Sequence, residues 1–297
     1  MRKEKNKNYT FDFYALTHDR EDLFAVPVAE ALQQIMDKAR PAEHLSYGCT
    51  REIFNLTHRI TSNSFTGQIR KIRKADLPEV GQPGHDSKKL ELDEGEGVVE
   101  KNFFVYYCEN SLLVMHRNEN GNTGSHLAQL LSSSLGTPYF ATPIIRPEEA
   151  ELILNNRLTI KRFSVKIPRP TNPDLYPQDS ISAKTIEILN KSGADSLDLT
   201  FTVDSKVDSS SGRLTAALQT AIGSLLSLGA TKAKLDTDEN GRIHPIDLIA
   251  NRVTCTRSTR TNAHFPTSET MYKLADEARA EKKGEIDGYF GKQQRLR

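Results

Sequence analysis

The sequence predicts an α+β protein in which helices pack on mixed or antiparallel sheets. Alternating apolar and polar residues, typical of half-buried strands, recur along the chain and are clearest at 9–15 and 197–203. Segments with apolar residues at helical spacing lie between the strands, but no regular strand–helix–strand rhythm repeats. A chain of 297 residues can bury a sizeable core and is long enough for two lobes.

The first predicted lobe, residues 1–146, begins with the strand at 9–15. A helix should follow, because Pro27 suits a first helical turn and Val28, Leu32 and Ile35 share one face. The other expected elements of this lobe are strands within 51–74, an acidic flap at 76–100, a hairpin that pairs 103–107 with 112–116, and a helix capped by Ser125 and closed by Gly136.

The second predicted lobe, residues 147–297, repeats the alternation of strands and helices. Its final helix should begin after Pro266, with Thr267 as the cap and Met271 and Leu274 facing inward. The other expected elements are a short helix from Pro147, a strand at 158–167, a proline-rich stretch at 168–177, a helix at 182–192, a strand at 197–203, a helix at 214–226, a hairpin at 231–249 and a basic segment at 252–260.

The net charge of +1 conceals a strong sorting of charge along the chain. Five basic residues and no acidic one lie between Arg59 and Lys74, whereas eight acidic residues and two lysines lie between Asp76 and Glu100. A local field depends on where charges sit, so these blocks indicate an anion-binding surface. No catalytic motif of comparable strength accompanies them. We therefore expect a non-enzymatic binding protein without a cofactor or a metal.

Three basic segments are candidate contacts to DNA phosphates. Arg252, Arg257 and Arg260 rank first, because they stand among Thr, Ser and Asn in a stretch without acids, and both arginines and hydroxyls commonly donate to phosphate oxygens. The second and third segments are Arg70, Lys71, Arg73 and Lys74, and then Lys161 and Arg162. With no recognition helix or zinc finger in the sequence, binding to double-stranded DNA should be nonspecific and salt-dependent.

Two other functions stay open at this stage. Asp236, Asp238 and Asp247 could converge on metal ions in a nuclease, with Asp204 and Asp208 nearby in sequence. The same string has the spacing of a calcium loop, but β-type residues flank it and a polar hairpin turn explains it equally well. The acidic and basic blocks could instead bind a protein partner, which would make the chain an interaction adaptor.

The cysteines and the hydropathy pattern indicate a cytoplasmic protein. Cys49, Cys108 and Cys255 are isolated and odd in number, which argues against a disulfide framework. No apolar run approaches the roughly 20 residues that a membrane-spanning helix needs, so we expect no direct membrane insertion.

The order of short apolar motifs resembles the RexA type of phage-exclusion protein and its prophage and defence-island relatives. The motifs are 13–15 (FYA), 65–67 (FTG) with its basic tail, 103–105 (FFV), 112–116 (LLVMH), a Leu-rich helix, and 158–168. The similarity covers mainly residues 9–205. A looser parallel is the DNA-binding subunit of the Kiwa type of antiphage defence.

This resemblance implies a cytoplasmic, dimeric DNA-binding protein of phage exclusion or abortive infection. Such a protein would sense phage DNA and signal to a membrane-protein partner encoded nearby. No catalytic residues of the family can be transferred to this chain, and the basic residues named above come from their charge alone.

Overall fold

We describe the fold from a computed structural model, over residues 4–18, 25–38, 43–46, 49–75, 77–146, 159–168, 180–203, 214, 222, 225–226, 230–239 and 242–294. These residues form antiparallel sheets and five helices, which confirms the predicted α+β class. No helix among them is long and apolar enough to cross a membrane.

The main sheet has eight strands in the order β14-β1-β8-β7-β4-β3-β2, and β9 also pairs with β1. Its strands are β1 (Lys5–His18), β2 (Glu43–Ser46), β3 (Cys49–Arg59), β4 (Ser64–Arg73), β7 (Val98–Tyr107), β8 (Leu112–His116), β9 (Tyr139–Pro143) and β14 (Thr254–Thr261). The predicted first strand and the 103–116 hairpin are therefore present as β1, β7 and β8.

Both faces of the main sheet are buried, which explains why β1 is apolar on alternate sides. Tyr14 and Leu16 face helices α1 (Val28–Asp37) and α2 (Gly124–Leu135). Phe11 and Phe13 lie in a second core on the opposite face. Successive side chains of a strand point to opposite faces, so one strand supplies both cores.

Helices α1 and α2 cover the first face. The buried stripe of α1 contains the predicted Val28, Leu32 and Ile35. Helix α2 begins one residue before Ser125, and the preceding Thr123 donates its backbone N–H to Nδ1 of His126 at 3.0 Å. Gly136 ends α2 with φ of 70°, a conformation that favours glycine.

Helices α4 (Ser268–Glu281) and α5 (Lys283–Gln294) belong to the second face. Thr267 accepts a hydrogen bond from the N–H of Thr270, so it caps α4 as the sequence predicted. Met271 and Leu274 are buried against the aromatic residues of the sheet.

Strand β14 differs from its predicted place in the second lobe. It pairs along its whole length with β1, from Lys5 opposite Thr261 to Asp12 opposite Thr254. Pairing there completes the hydrogen bonding of β1 and lets Cys255 join the same core as α4. The first sheet thus contains residues from both sides of the boundary at 146/147.

A second sheet has the order β11-β10-β12-β13 and a core of its own. Its elements are β10 (Thr159–Pro168), α3 (Ser180–Ser192), β11 (Ser196–Thr202), β12 (Lys232–Glu239) and β13 (Arg242–Asp247). Most of the predicted helix at 214–226, the proline-rich stretch at 169–177 and the turn at 240–241 lie outside the described residues.

The acidic flap connects β4 to β7. Its described part, residues 77–97, contains only the two-residue strands β5 (Glu79–Val80) and β6 (Lys88–Lys89), and most of its side chains are exposed. The flap leaves the main sheet after Arg73 and returns at Val98, which are paired neighbours in the ladder. Both of its ends therefore sit at the same edge of the sheet.

Candidate functional site

Basic side chains from several strands lie together at one end of the main sheet, along the edge that is formed by the ends of its strands. Because the strands are antiparallel, the beginnings of β1 and β7 lie beside the ends of β4, β8 and β14. We call the following residues at or just beyond these ends the basic edge: Lys5, Lys7, Lys71, Lys74, Lys101, Arg117 and Arg260.

Strand register sets the width of the basic edge. Phe11 pairs with His116, and all of the basic-edge residues lie beyond that row on the same side. The path from β14 to β4 crosses β1, β8 and β7. Neighbouring strands are about 4.8 Å apart, so this path is about 20 Å wide.

The cations of the basic edge differ in their exposure and in the ion pairs and hydrogen bonds that they form. Lys5, Lys74 and Arg260 are exposed, and within the described part of the chain they form no ion pair. Arg117 pairs with Asp12. Lys71 donates to the carbonyl of Asn120 at 3.3 Å.

Hydrogen bonds of two asparagine side chains attach the loop that follows β8 to the sheet. Asn102 is fully buried; its Nδ2 donates to the carbonyl of His116 at 2.9 Å, and its Oδ1 accepts from the N–H of Asn122 at 2.6 Å. Nε of Arg51 in turn donates to Oδ1 of Asn122 at 3.1 Å. A Cβ at Gly121 would overlap the amide oxygen of Asn102, so the loop needs glycine there.

The structure separates the three arginines of the 252–260 segment. Arg260 lies on the basic edge, whereas Arg257 is on the opposite face of β14, with Nη2 2.7 Å from Oε2 of Glu281 in α4. Arg252 lies farther along, where its Nε donates to the carbonyl of Ile249 at 3.0 Å. The predicted trio therefore does not form one patch.

The 70–74 segment is divided between the two faces of β4. Arg70 pairs with Glu52 of β3, and its guanidinium lies 3.5 Å from the ring centre of Phe54. Lys71 and Arg73 occupy the other face, and Lys74 follows the strand end. The acids of the flap therefore do not neutralise Arg70; a neighbouring strand does.

The third basic segment lies on the second sheet beside acidic residues. Nζ of Lys161 is 3.9 Å from Oδ2 of Asp238, and Arg162 is exposed opposite Asp236 in the ladder. Its charge is therefore interleaved with acids.

The carboxylates of the nuclease hypothesis lie on the β12–β13 hairpin. Asp236 pairs with Pro245, so a β-ladder occupies the region where a calcium loop would need free ligands. Asp247 accepts from the N–H groups of Ile249 and Ala250, each at 3.0 Å. Among the described residues, no three His, Cys, Asp or Glu side chains are grouped to hold a metal ion. Asp204 and Asp208 lie outside the described residues.

Ion pairs line a cavity of about 490 Å³ between the β7–β8 hairpin and helices α4 and α5. Arg59 donates to both carboxylate oxygens of Asp276, at 2.8 and 3.0 Å, and Tyr107 donates to the same carboxylate at 2.5 Å. Burial, together with this hydrogen bond to a carboxylate, raises the pKa of Tyr107. The phenol thus stays protonated as a structural donor.

His116 stands where β8 ends at the basic edge. Its ring is surrounded by the rings of Tyr9, Phe11, Phe103 and Phe265. Burial lowers its pKa from 6.5 to about 4, so the imidazole is neutral at physiological pH. Its Nδ1 is buried and has no hydrogen-bond partner among the described residues.

Sequence reasoning missed part of the basic edge, namely Lys5, Lys7, Lys101 and Arg117. The basic N-terminus was a visible signal for Lys5 and Lys7. Lys101 and Arg117 stand beside acids in the sequence, so only the strand order brings them together with the other cations.

The comparison with known families gives one match. A family model described as a family of unknown function, DUF6731, matches residues 4–278, so the chain belongs to this family. No curated protein matches the chain. The family description names no activity, and the resemblance to RexA-type and Kiwa-type proteins stays a prediction.

Proposed function

We propose that this member of the DUF6731 family is a non-enzymatic protein that binds DNA phosphates through the basic edge, with little sequence preference. The observation that carries the proposal is the convergence of cations from distant sequence positions on one sheet edge, where Lys5, Lys74 and Arg260 remain exposed without ion pairs in the described structure.

The dimensions of the basic edge suit a DNA backbone. Phosphates of one duplex strand recur about every 3.4 Å of helix axis, so an edge about 20 Å wide, laid along the axis, spans about six of them. The cations are carried by strand ends and loops, and such contacts neutralise phosphates without reading bases. Affinity should therefore depend strongly on salt and weakly on sequence.

The acidic flap gives this surface a means of control. The flap starts and ends at the basic edge, and its exposed acids include Glu91, Asp93, Glu94 and Glu96. Acids held near lysines compete with phosphates for the same charges. We further propose that the flap weakens DNA binding when it lies over the basic edge.

The RexA-type resemblance motivates a cellular role in phage exclusion, exercised in the cytoplasm by a homodimer that signals to a membrane partner. Plaque assays on cells that carry the gene and its neighbours test this role. Protection that disappears when the basic edge is neutralised would support it. Equal plating of phage with and without the gene would contradict it.

The DNA-binding proposal is tested with a quadruple variant of the basic edge, called the edge variant: Lys5→Gln, Lys71→Gln, Lys74→Gln and Arg260→Gln. Its matched control removes four exposed lysines from the second lobe: Lys184→Gln, Lys191→Gln, Lys232→Gln and Lys234→Gln. Fluorescence anisotropy with a labelled duplex at low salt should show a loss of at least tenfold for the edge variant. Equal losses for both variants would contradict a localised site.

A further inference from the structure

A cavity opens in the middle of the basic edge because β8 is shorter than its neighbours. Strand β8 ends at His116, while β1 extends to Lys5 and β7 begins at Val98. Beyond the end of β8 lies an open surface cavity of about 420 Å³. Ligand pockets commonly measure about 300–1,000 Å³, so this one is suited to a single small molecule or one nucleotide unit.

Aromatic rings form one side of the cavity. The ring centres of Tyr9 and His116 are 5.6 Å apart, and those of His116 and Phe265 are 5.5 Å apart. His264, which is exposed, packs against Phe265 with ring centres 4.3 Å apart. Tyr9 and His116 are buried beneath the cavity wall, so the accessible rings of His264 and Phe265 provide the stacking surface for a flat heterocycle.

Polar groups complete the lining. His116 is only 4% exposed, yet its Nδ1 has no partner among the described residues, and a buried polar atom in this condition costs free energy. The exposed amide of Asn120 and carboxylate of Glu119 stand at the same cavity. The exposed groups of Asn120 and Glu119 can pair with the edge of a base, whereas Nδ1 of His116 is itself buried.

Cations surround the cavity as well. Lys7 lines it and donates one hydrogen to the carbonyl of Ala263 at 2.8 Å, which leaves two for another acceptor. Nζ of Lys101 lies 5.6 Å from the ring centre of Phe265. When a base occupies the cavity, its attached phosphate would therefore lie outside the cavity and close to these positive charges.

We propose that this cavity binds one unstacked nucleobase, with the attached phosphate held by Lys7 and Lys101. The base comes either from a DNA strand at the basic edge or from a free nucleotide. The first source rests on the proposed DNA binding, and the second does not. In the first case the protein favours single-stranded or distorted DNA over an intact duplex, whose bases are stacked and paired.

The test uses the full chain and two labelled single-stranded oligonucleotides of equal length, one ordinary and one with an abasic sugar at every position. Both carry the same phosphates. Stacking contributes about 1–3 kcal/mol per base, so the ordinary strand should bind about 5- to 150-fold more tightly. Titration of deoxynucleoside monophosphates into the protein without DNA measures whether the cavity binds a free nucleotide.

His116→Phe removes the ring nitrogens and keeps an aromatic ring in the core. We expect it to lower the affinity for the ordinary strand to that for the abasic strand and to leave abasic binding unchanged. The matched control is His58→Phe, because His58 is likewise in contact with a phenylalanine ring, that of Phe65, with ring centres 4.5 Å apart, and belongs to the opposite end of the sheet. If His116→Phe does not fold, Asn120→Ala, which removes the exposed amide from the cavity, should likewise lower the affinity for the ordinary strand and leave abasic binding unchanged.

Each outcome supports or overturns the cavity proposal, the DNA-binding proposal or both. Equal, salt-dependent binding of both strands would overturn the cavity proposal and leave DNA binding intact. Binding of monophosphates that His116→Phe abolishes, without binding of either strand, would support the cavity and overturn the proposed DNA function. If nothing binds, both proposals are overturned.

Discussion

The guanidinium of Arg257 lies 2.7 Å from the carboxylate of Glu281, whereas Arg260, three residues later on the same strand, is exposed on the other face of β14. Arg257 also donates to the carbonyl of Glu277 at 3.1 Å. It thus joins β14 to α4. Two arginines of one segment therefore have different roles, and only Arg260 is available to a ligand at the basic edge.

Arg260→Gln should weaken DNA binding and reduce the salt dependence of the binding constant. Each phosphate-neutralising cation contributes about 0.9 to the slope of log K against log salt on a duplex, so the slope should fall by about that amount. Salt titrations monitored by anisotropy measure it.

Arg257→Gln is the control for that experiment, since it removes the same charge from the same strand. It should leave the salt slope unchanged and slightly lower the melting temperature, because Glu281 loses its ion pair with Arg257. A slope that falls equally in both variants would show that position on β14 is irrelevant.

Neutralising the flap should strengthen DNA binding. In the variant Glu91→Gln, Asp93→Asn, Glu94→Gln, fewer acids compete with phosphate at the basic edge. We expect an affinity several-fold higher at low salt, with the difference shrinking as salt screens the charges. Equilibrium binding at two salt concentrations checks this.

A variant with as many acids neutralised in the second lobe controls for net charge: Glu187→Gln, Asp195→Asn and Asp198→Asn. Its affinity should rise less than that of the flap variant. The gating role of the flap fails if the two variants bind DNA equally well.

Asn102→Ala should destabilise the fold by about 2–3 kcal/mol in urea unfolding. The substitution leaves the buried N–H of Asn122 and the carbonyl of His116 without their partners. It should also loosen the loop that follows β8. A change below about 0.5 kcal/mol would mean that water replaces the lost hydrogen bonds.

The buried His116 should make folding stability depend on pH between 6.5 and 4. Its pKa is about 4 in the folded protein, against 6.5 as reference, so over this range the unfolded chain binds a proton that the folded chain does not. The free energy of unfolding should fall by up to about 3 kcal/mol as the pH decreases through the range.

His116→Phe removes this contribution, so its unfolding free energy should depend less on pH than that of the wild type. Urea unfolding at pH 6.5 and at pH 4.5 measures both proteins, with His58→Phe as the control. Parallel pH dependences for wild type and His116→Phe would contradict the burial of a neutral imidazole.

Local patterns were sufficient to predict individual elements of the fold. The alternation in β1, the stripe of α1 and the Thr267 cap of α4 are each encoded within a few residues. They were predictable because strand pleating, helical periodicity and capping are local properties.

The candidate site was less predictable because it depends on contacts between distant residues. Lys5 and Arg260 lie at the same edge, on opposite faces of the sheet, because β1 pairs with β14, about 250 positions later, and nothing in either segment specifies the other. The same pairing places Arg257 beside Glu281. The charge blocks therefore lead to the prediction of an anion-binding surface, but where that surface lies follows from strand order.

The central claim is tested most directly by the salt dependence of duplex binding, compared between the wild type and the quadruple edge variant. We predict a slope of log K against log salt of about −5 for the wild type, as expected when about six phosphates are neutralised, and a slope smaller in magnitude by about 3 to 4 for the variant, which lacks four cations. Identical slopes, or no binding of the wild type to any DNA at low salt, would contradict the account.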